Sequence, residues 1–201
     1  METHGHNFSR WHEKVWQYFP VDMPPEFYTL QYNRWVYIEP AARLGNKILE
    51  IGAQTFLACI YLKARYANIE VVGSDIHTLE CNWGLLRAKR WGVRLPIVNC
   101  DAFNLPFKDD AFDVVLSEGL HEHFDKRDIS NLVGESARVA KYQIINVPTT
   151  ADFERGGGYG DERHLTDLEW RELFQSIGRV EIIEEFRRNT NYCAILKRKE
   201  V

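Results

Sequence analysis

The sequence predicts an α/β domain built on a doubly wound, mostly parallel sheet, and three observations predict it. From Lys47 onward, short apolar runs rich in branched residues and bounded by Gly, Asp, Asn or Pro alternate with stretches of helical length. The last two runs, 180–186 and 192–196, are separated by five residues, too few for a helical crossover, so they pair antiparallel as a hairpin. The chain has 201 residues, 45% hydrophobic and 27% charged, which is enough for one domain with a continuous core and excludes disordered and collagen-like classes.

Taken in order, 48–51, 69–72, 95–98, 112–116 and 142–147 read as buried strands, and 55–66, 78–91, 127–140 and 166–177 as the helices between and after them. With the closing hairpin the sheet has seven strands. Ahead of it lie about 45 residues rich in aromatics. Trp11, Val15, Tyr18 and Phe19 fall at helical spacing. Pro20, Pro24 and Pro25 interrupt the pattern, and a second run follows through Phe27, Tyr28, Tyr32, Trp35 and Tyr37. Two helices joined by a proline turn are expected, either covering one end of the sheet or forming a lid over a ligand. The whole chain reads as one domain, with 1–45 as a helical extension and 46–201 as the core.

Lys plus Arg total 25 against 29 Asp plus Glu, a net charge of −4, so nothing in the whole chain attracts a phosphate backbone or an anionic membrane. The longest uncharged apolar stretch, 51–62, is well short of the ~20 residues of a membrane-spanning helix. No apolar signal core opens the sequence, and a cytoplasmic protein is expected. Cys59, Cys81, Cys100 and Cys193 are far apart among apolar neighbours and read as free thiols. Arg187, Arg188, Lys197, Arg198 and Lys199 cluster on the hairpin, where charge commonly protects a sheet edge from aggregation.

In an open parallel sheet, ligands bind outside the carboxyl ends of the strands, at the point where strand order reverses. The first strand ends Glu50-Ile51-Gly52-Ala53-Gln54-Thr55-Phe56, the second Ser74-Asp75-Ile76, the third Asn99-Cys100-Asp101-Ala102-Phe103 and the fourth Ser117-Glu118-Gly119-Leu120-His121-Glu122-His123. An acid after the second strand suits a ribose diol, because a carboxylate accepts from both hydroxyls. A pyrophosphate is disfavoured: only Gly52 of a glycine-rich cradle is present, and no Lys or Arg occurs in the first loop before Lys63. A nucleoside carrying an amino-acid tail asks less of this loop.

These segments resemble the class I S-adenosylmethionine (SAM)-dependent methyltransferases of the small-molecule type. Ile48-Leu49-Glu50-Ile51-Gly52 is similar to the first family motif and Val72-Gly73-Ser74-Asp75-Ile76 to the second. Cys100-Asp101-Ala102-Phe103-Asn104-Leu105-Pro106-Phe107 with Phe112-Asp113-Val114-Val115 resembles the adenine-binding stretch and fourth strand. Arg163-His164-Leu165-Thr166 before a helix, and the hairpin, fit the same pattern. The resemblance implies a Rossmann-like sheet, SAM as cofactor and S-adenosylhomocysteine (SAH) as product. Glu50 and Gly52 would hold the methionine moiety, Asp75 the ribose hydroxyls, and Ile76 would pack on adenine. Asp101 would accept from the adenine amine, with the Ala102 or Phe103 amide on a ring nitrogen. Ala53, Gln54, Ser117 and Glu118 complete the set. Gln54 and Phe56 depart from the family by standing where it has glycines; Gln54 suits a polar contact to the amino-acid tail, and Phe56 either crowds the helix start or points into the core.

Methyl transfer from a sulfonium needs alignment and exclusion of water, and a base only when the acceptor is protonated. His121 and His123 are the candidates after the fourth strand. Tyr159 and His164 belong to a glycine-bearing loop after the fifth, placed to close on an acceptor. No metal is expected, although Glu118, Glu122, His123 and His164 have the donor chemistry for one. The expected partner is a small-molecule acceptor. The alternatives are an RNA or protein acceptor and a non-catalytic SAM- or SAH-binding subunit.

Overall fold

The computed structural model describes residues 22–24, 26–27, 29, 33–154 and 162–200. Its elements are α1 (Trp35–Leu44), β1 (Lys47–Glu50), α2 (Leu57–Arg65), β2 (Glu70–Asp75), α3 (Thr78–Arg90), β3 (Ile97–Asn99), β4 (Phe112–Glu118), a 3₁₀ turn (His121–His123), α4 (Lys126–Val139), β5 (Ala140–Pro148), α5 (Thr150–Phe153), α6 (Asp167–Ser176), β6 (Val180–Arg188) and β7 (Asn191–Arg198). The seven strands form one sheet in the order β3-β2-β1-β4-β5-β7-β6. The first five strands pair parallel and the last two antiparallel, as the alternation and the short hairpin connection require. Strand order reverses between β1 and β4.

Differences from the sequence reading have local causes. β3 begins at Ile97 because Pro96 has no N–H for the ladder, although its carbonyl still accepts from Gly73. α2 begins at Leu57 because Phe56 is left-handed, with φ +56°. The hairpin turn shrinks to Asn189 and Thr190, with Asn189 at φ +54°, so Arg187 and Arg188 are strand residues. α1 continues beyond Tyr37 to Leu44, with Pro40 inside it. The expected first N-terminal helix, from Trp11 to Phe19, lies outside the described residues.

One apolar cluster joins α1, α2 and the central strands through Tyr37, Ile38, Ile48, Phe56, Ile60, Val114 and Ile195. On the other face, Leu49, Ile51, Val115 and Leu132 pack together, while Trp170 and Phe174 of α6 stack beneath the hairpin with ring centroids 5.7 Å apart. α6 opens with a reciprocal cap: the Thr166 hydroxyl accepts from the Glu169 N–H, and the Glu169 carboxylate accepts from the Thr166 N–H. Among the described residues, no helix is long and apolar enough to cross a membrane.

Candidate cofactor and acceptor site

Glu50, Asp75, Asp101 and Glu118 occupy the carboxyl ends of β1, β2, β3 and β4 or the residues just beyond, on the edge where strand order reverses. β1 and β2 are locked at this end by the Ser74 hydroxyl donating to the Glu50 carbonyl (3.0 Å) and the Ala53 N–H donating to the Ser74 carbonyl (2.9 Å).

The loop after β1 keeps the backbone of a glycine-rich turn with one glycine, Gly52. Gly52, Gln54 and Phe56 have φ of +60°, +44° and +56°. For Gln54 and Phe56, side chains in left-handed backbone cost about 1–2 kcal/mol each, so packing must hold them there. The Phe56 ring is fully buried and lies between Gly73 of β2 and Gly84 of α3, where a methyl group at either glycine would overlap it. Phe56 therefore points into the core. Half-buried Gln54 donates its N–H to Asp75 Oδ2 (2.9 Å), and the His77 N–H donates to Asp75 Oδ1 (2.9 Å). Both carboxylate oxygens are thus oriented from the backbone.

After β3, Asp101 Oδ1 accepts from the Phe103 N–H (2.9 Å), a turn that sets the half-buried Ala102 and Phe103 beside the site. The Phe103 ring meets Phe124 edge-on at 4.9 Å. Half-buried Ile76 is held through its carbonyl by Asn99 Nδ2 (2.8 Å). Glu50 is buried and accepts from the Cys59 N–H (3.2 Å) and Sγ (2.7 Å). Burial raises its pKa to about 7, against the lowering effect of Cys59 and Arg34, with Asp75 adding a smaller upward push.

Glu118 is the hub of an ion cluster. Its carboxylate pairs with Arg34, accepts from the Tyr37 hydroxyl, and takes Asn146 Nδ2 at 3.1 Å and Arg188 Nη1 at 2.5 Å. The Arg188 guanidinium also lies over the Tyr37 ring, 5.4 Å from its centroid. The sequence reading did not place Arg34, Tyr37, Asn146 or Arg188 at the site; they come from three distant segments, the start of α1, β5 and β6. Arg188, read as an edge charge, is buried.

The candidate bases separate. His121 is buried, with its ring edge-on to Phe174 and Nδ1 3.3 Å from the Ser117 hydroxyl; desolvation lowers its pKa to about 3. It packs against Phe174 and the Ser117 hydroxyl. Ser117 shares this buried position behind the strand end. His123 is half-buried at the end of the 3₁₀ turn, and His164 is exposed. Their two segments adjoin, because the Arg163 N–H donates to the Glu122 carbonyl (2.8 Å) and Arg163 Nε to the Phe124 carbonyl. Tyr159 lies outside the described residues. Glu118, Glu122, His123 and His164 do not assemble: among the described residues, no group of three or more His, Cys, Asp or Glu is placed to hold a metal ion.

Residues 48–143 match a family model described as a methyltransferase domain. That segment is just under half of the chain. Among curated relatives, a probable tRNA methyltransferase 9B of Mus musculus is 31% identical over 120 residues, covering 57% of this chain and 24% of its own length. The chain thus spans about a quarter of that relative. Among solved structures, the PH0226 protein of Pyrococcus horikoshii OT3 shares the fold of this chain with a TM-score of 0.77 at 17% identity, covering 96% of this chain and 100% of its own. The magnesium protoporphyrin IX methyltransferase of Synechocystis PCC 6803, solved with bound SAM, has a TM-score of 0.62 at 15% identity, covering 96% and 85%.

Proposed function

We propose that the chain is a SAM-dependent methyltransferase with a small-molecule acceptor, folded as a single domain in which 46–201 form the Rossmann-like core and 1–45 the lid. The observation that carries this reading is the placement of Asp75 at the end of β2 and Asp101 just beyond the adjacent β3, with the Asp75 carboxylate held by the left-handed loop after β1.

The residues fit the cofactor. Asp75, oriented by two backbone N–H groups, is the acceptor for the ribose diol. Asp101 commits one oxygen to its turn and offers the other to the adenine amine, with Ile76, Ala102 and Phe103 flanking the ring. Glu50, Gly52, Ala53 and Gln54 receive the methionine end, and Glu118 closes the set from β4. Bound SAM supplies a methyl group on a sulfonium. The chain's part is to align the acceptor with that methyl and exclude water. His123 and His164, with Tyr159, are the groups offered for an acceptor proton. The Arg34 and Tyr37 contacts to Glu118 support a lid, since they bring the start of α1 onto the ligand edge of the sheet.

An RNA acceptor is the second reading, favoured by the name of the mouse relative. The hairpin argues against it: Arg187, Arg188, Lys197 and Arg198 each pair with an acid, namely Asp167, Glu118, Glu181 and Asp110. Such pairing offsets the charge that these four residues would offer a phosphate backbone. Calorimetric titration of the full chain with SAH tests the first reading, with micromolar binding expected and no heat contradicting it. Titration with tRNA tests the second, where tight binding that weakens steeply with salt would favour RNA.

A further inference from the structure

α3 carries two charged residues, Glu80 and Arg87, on the face that buries Cys81, Gly84 and Ala88. Arg87 is fully buried, and its Nη1 donates to the backbone carbonyl of Thr55, the residue between left-handed Gln54 and Phe56. We propose that Arg87 is a positioning residue for cofactor binding: by fixing the Thr55 carbonyl it holds the loop in its left-handed form, so that the Gln54 N–H aims the Asp75 carboxylate at the ribose. This rests on the SAM reading.

The loop is held at three points. The Ala53 N–H to the Ser74 carbonyl fixes its start, and the Phe56 ring between Gly73 and Gly84 fixes its end. Between them, buried Thr55 presents a carbonyl that requires a donor, and Arg87 reaches it from the neighbouring helix. A glycine loop visits left-handed backbone freely, whereas Gln54 and Phe56 leave it unless held. The loss of two glycines is thus matched by an arginine and two glycines placed outside the loop.

The test uses the full chain and the variants Arg87→Met and Arg87→Lys, with SAH as probe. SAH affinity should fall about tenfold in Arg87→Met and less in Arg87→Lys. Hydrogen exchange at the Gln54 amide should accelerate, while the amides of Leu49 and Val115 in the central strands keep their protection. Adding Gln54→Gly to Arg87→Met should return the affinity to within about threefold of Gln54→Gly alone, because glycine needs no clamp. The melting temperature lost with Arg87 should stay lost. If Arg87→Met does not fold, Arg87→Lys and its Gln54→Gly combination carry the same readouts. Unchanged affinity, or faster exchange spread evenly over the sheet without rescue by glycine, would overturn the proposal. A parent chain that binds no SAH would instead overturn the cofactor reading, and exchange at Gln54 would still decide whether Arg87 holds the loop.

Discussion

Tyr37, on the helix that precedes the sheet, donates its hydroxyl to the carboxylate of Glu118 at the end of the fourth strand. The same carboxylate pairs with Arg34 and Arg188, so one acid ties α1 to β4 and to the hairpin. Breaking a buried pair by removing one partner costs far more than the pair is worth, since the remaining charge stays buried. Glu118→Gln should therefore lower the unfolding free energy by about 3–5 kcal/mol. Tyr37→Phe, which removes one hydrogen bond, should cost about 1 kcal/mol. Urea denaturation of both variants checks the order, and equal costs would show that the ion cluster does not anchor α1.

The raised pKa of Glu50 gives stability a pH dependence of known sign. The folded carboxyl has a pKa of about 7 against an ordinary 4.5, so the folded state holds its proton more tightly than the unfolded chain. Its contribution is fully present below about pH 4.5, declines as pH rises to about 7, and is flat above. Glu50→Gln removes this decline. At pH 8 the variant should be more stable than the parent by a few kcal/mol, with the two converging near pH 4.5. Thermal melts across that range test it, and a constant difference would contradict the burial of an ionisable carboxyl.

Asp101 reads the adenine amine in this account, and its reversal is testable. Asp101→Asn keeps the turn acceptor but presents an N–H where the parent presents an oxygen. SAH affinity should fall by about 1.5–3 kcal/mol. The inosine analogue of SAH, which carries a carbonyl in place of the amine, should lose less or gain. An unchanged preference between the two ligands would remove Asp101 from the adenine site.

Nicotinamide dinucleotides should not bind, because the loop after β1 carries no cation and only Gly52 of a glycine-rich pyrophosphate cradle. Fluorescence titration with NADH checks this, and micromolar affinity would contradict the choice of cofactor.

Much of the fold was legible because its signals are local. Apolar runs and their punctuation mark the strands, and a connection too short for a helical crossover can only join antiparallel ones. Asp75 and Asp101 could be singled out because they stand at strand ends, whose place topology decides; the role proposed for Asp101 came from the family resemblance. The conformation of the first loop was not legible: left-handed backbone is signalled by glycine, and here it is held by Phe56 packing on Gly73 and Gly84 and by Arg87 on α3. A signal for Arg87 did exist in the spacing of Glu80 and Arg87, seven residues apart on an otherwise apolar helix face. The Glu118 cluster offered none, because Arg34, Tyr37, Asn146 and Arg188 meet only after the chain has folded. His121 and His123 looked equivalent as a pair, and the 3₁₀ turn separates them by burying one against Phe174.

The central claim is that Asp75 holds the ribose of a SAM-type cofactor. Calorimetric titration of SAH into the full chain and into Asp75→Ala tests it most directly, with circular dichroism to show that the variant is folded. The account predicts micromolar affinity in the parent and a loss of about 1.5–3 kcal/mol, roughly 10- to 150-fold, in the variant. Equal affinity in the two proteins, or no heat in the parent, would contradict it.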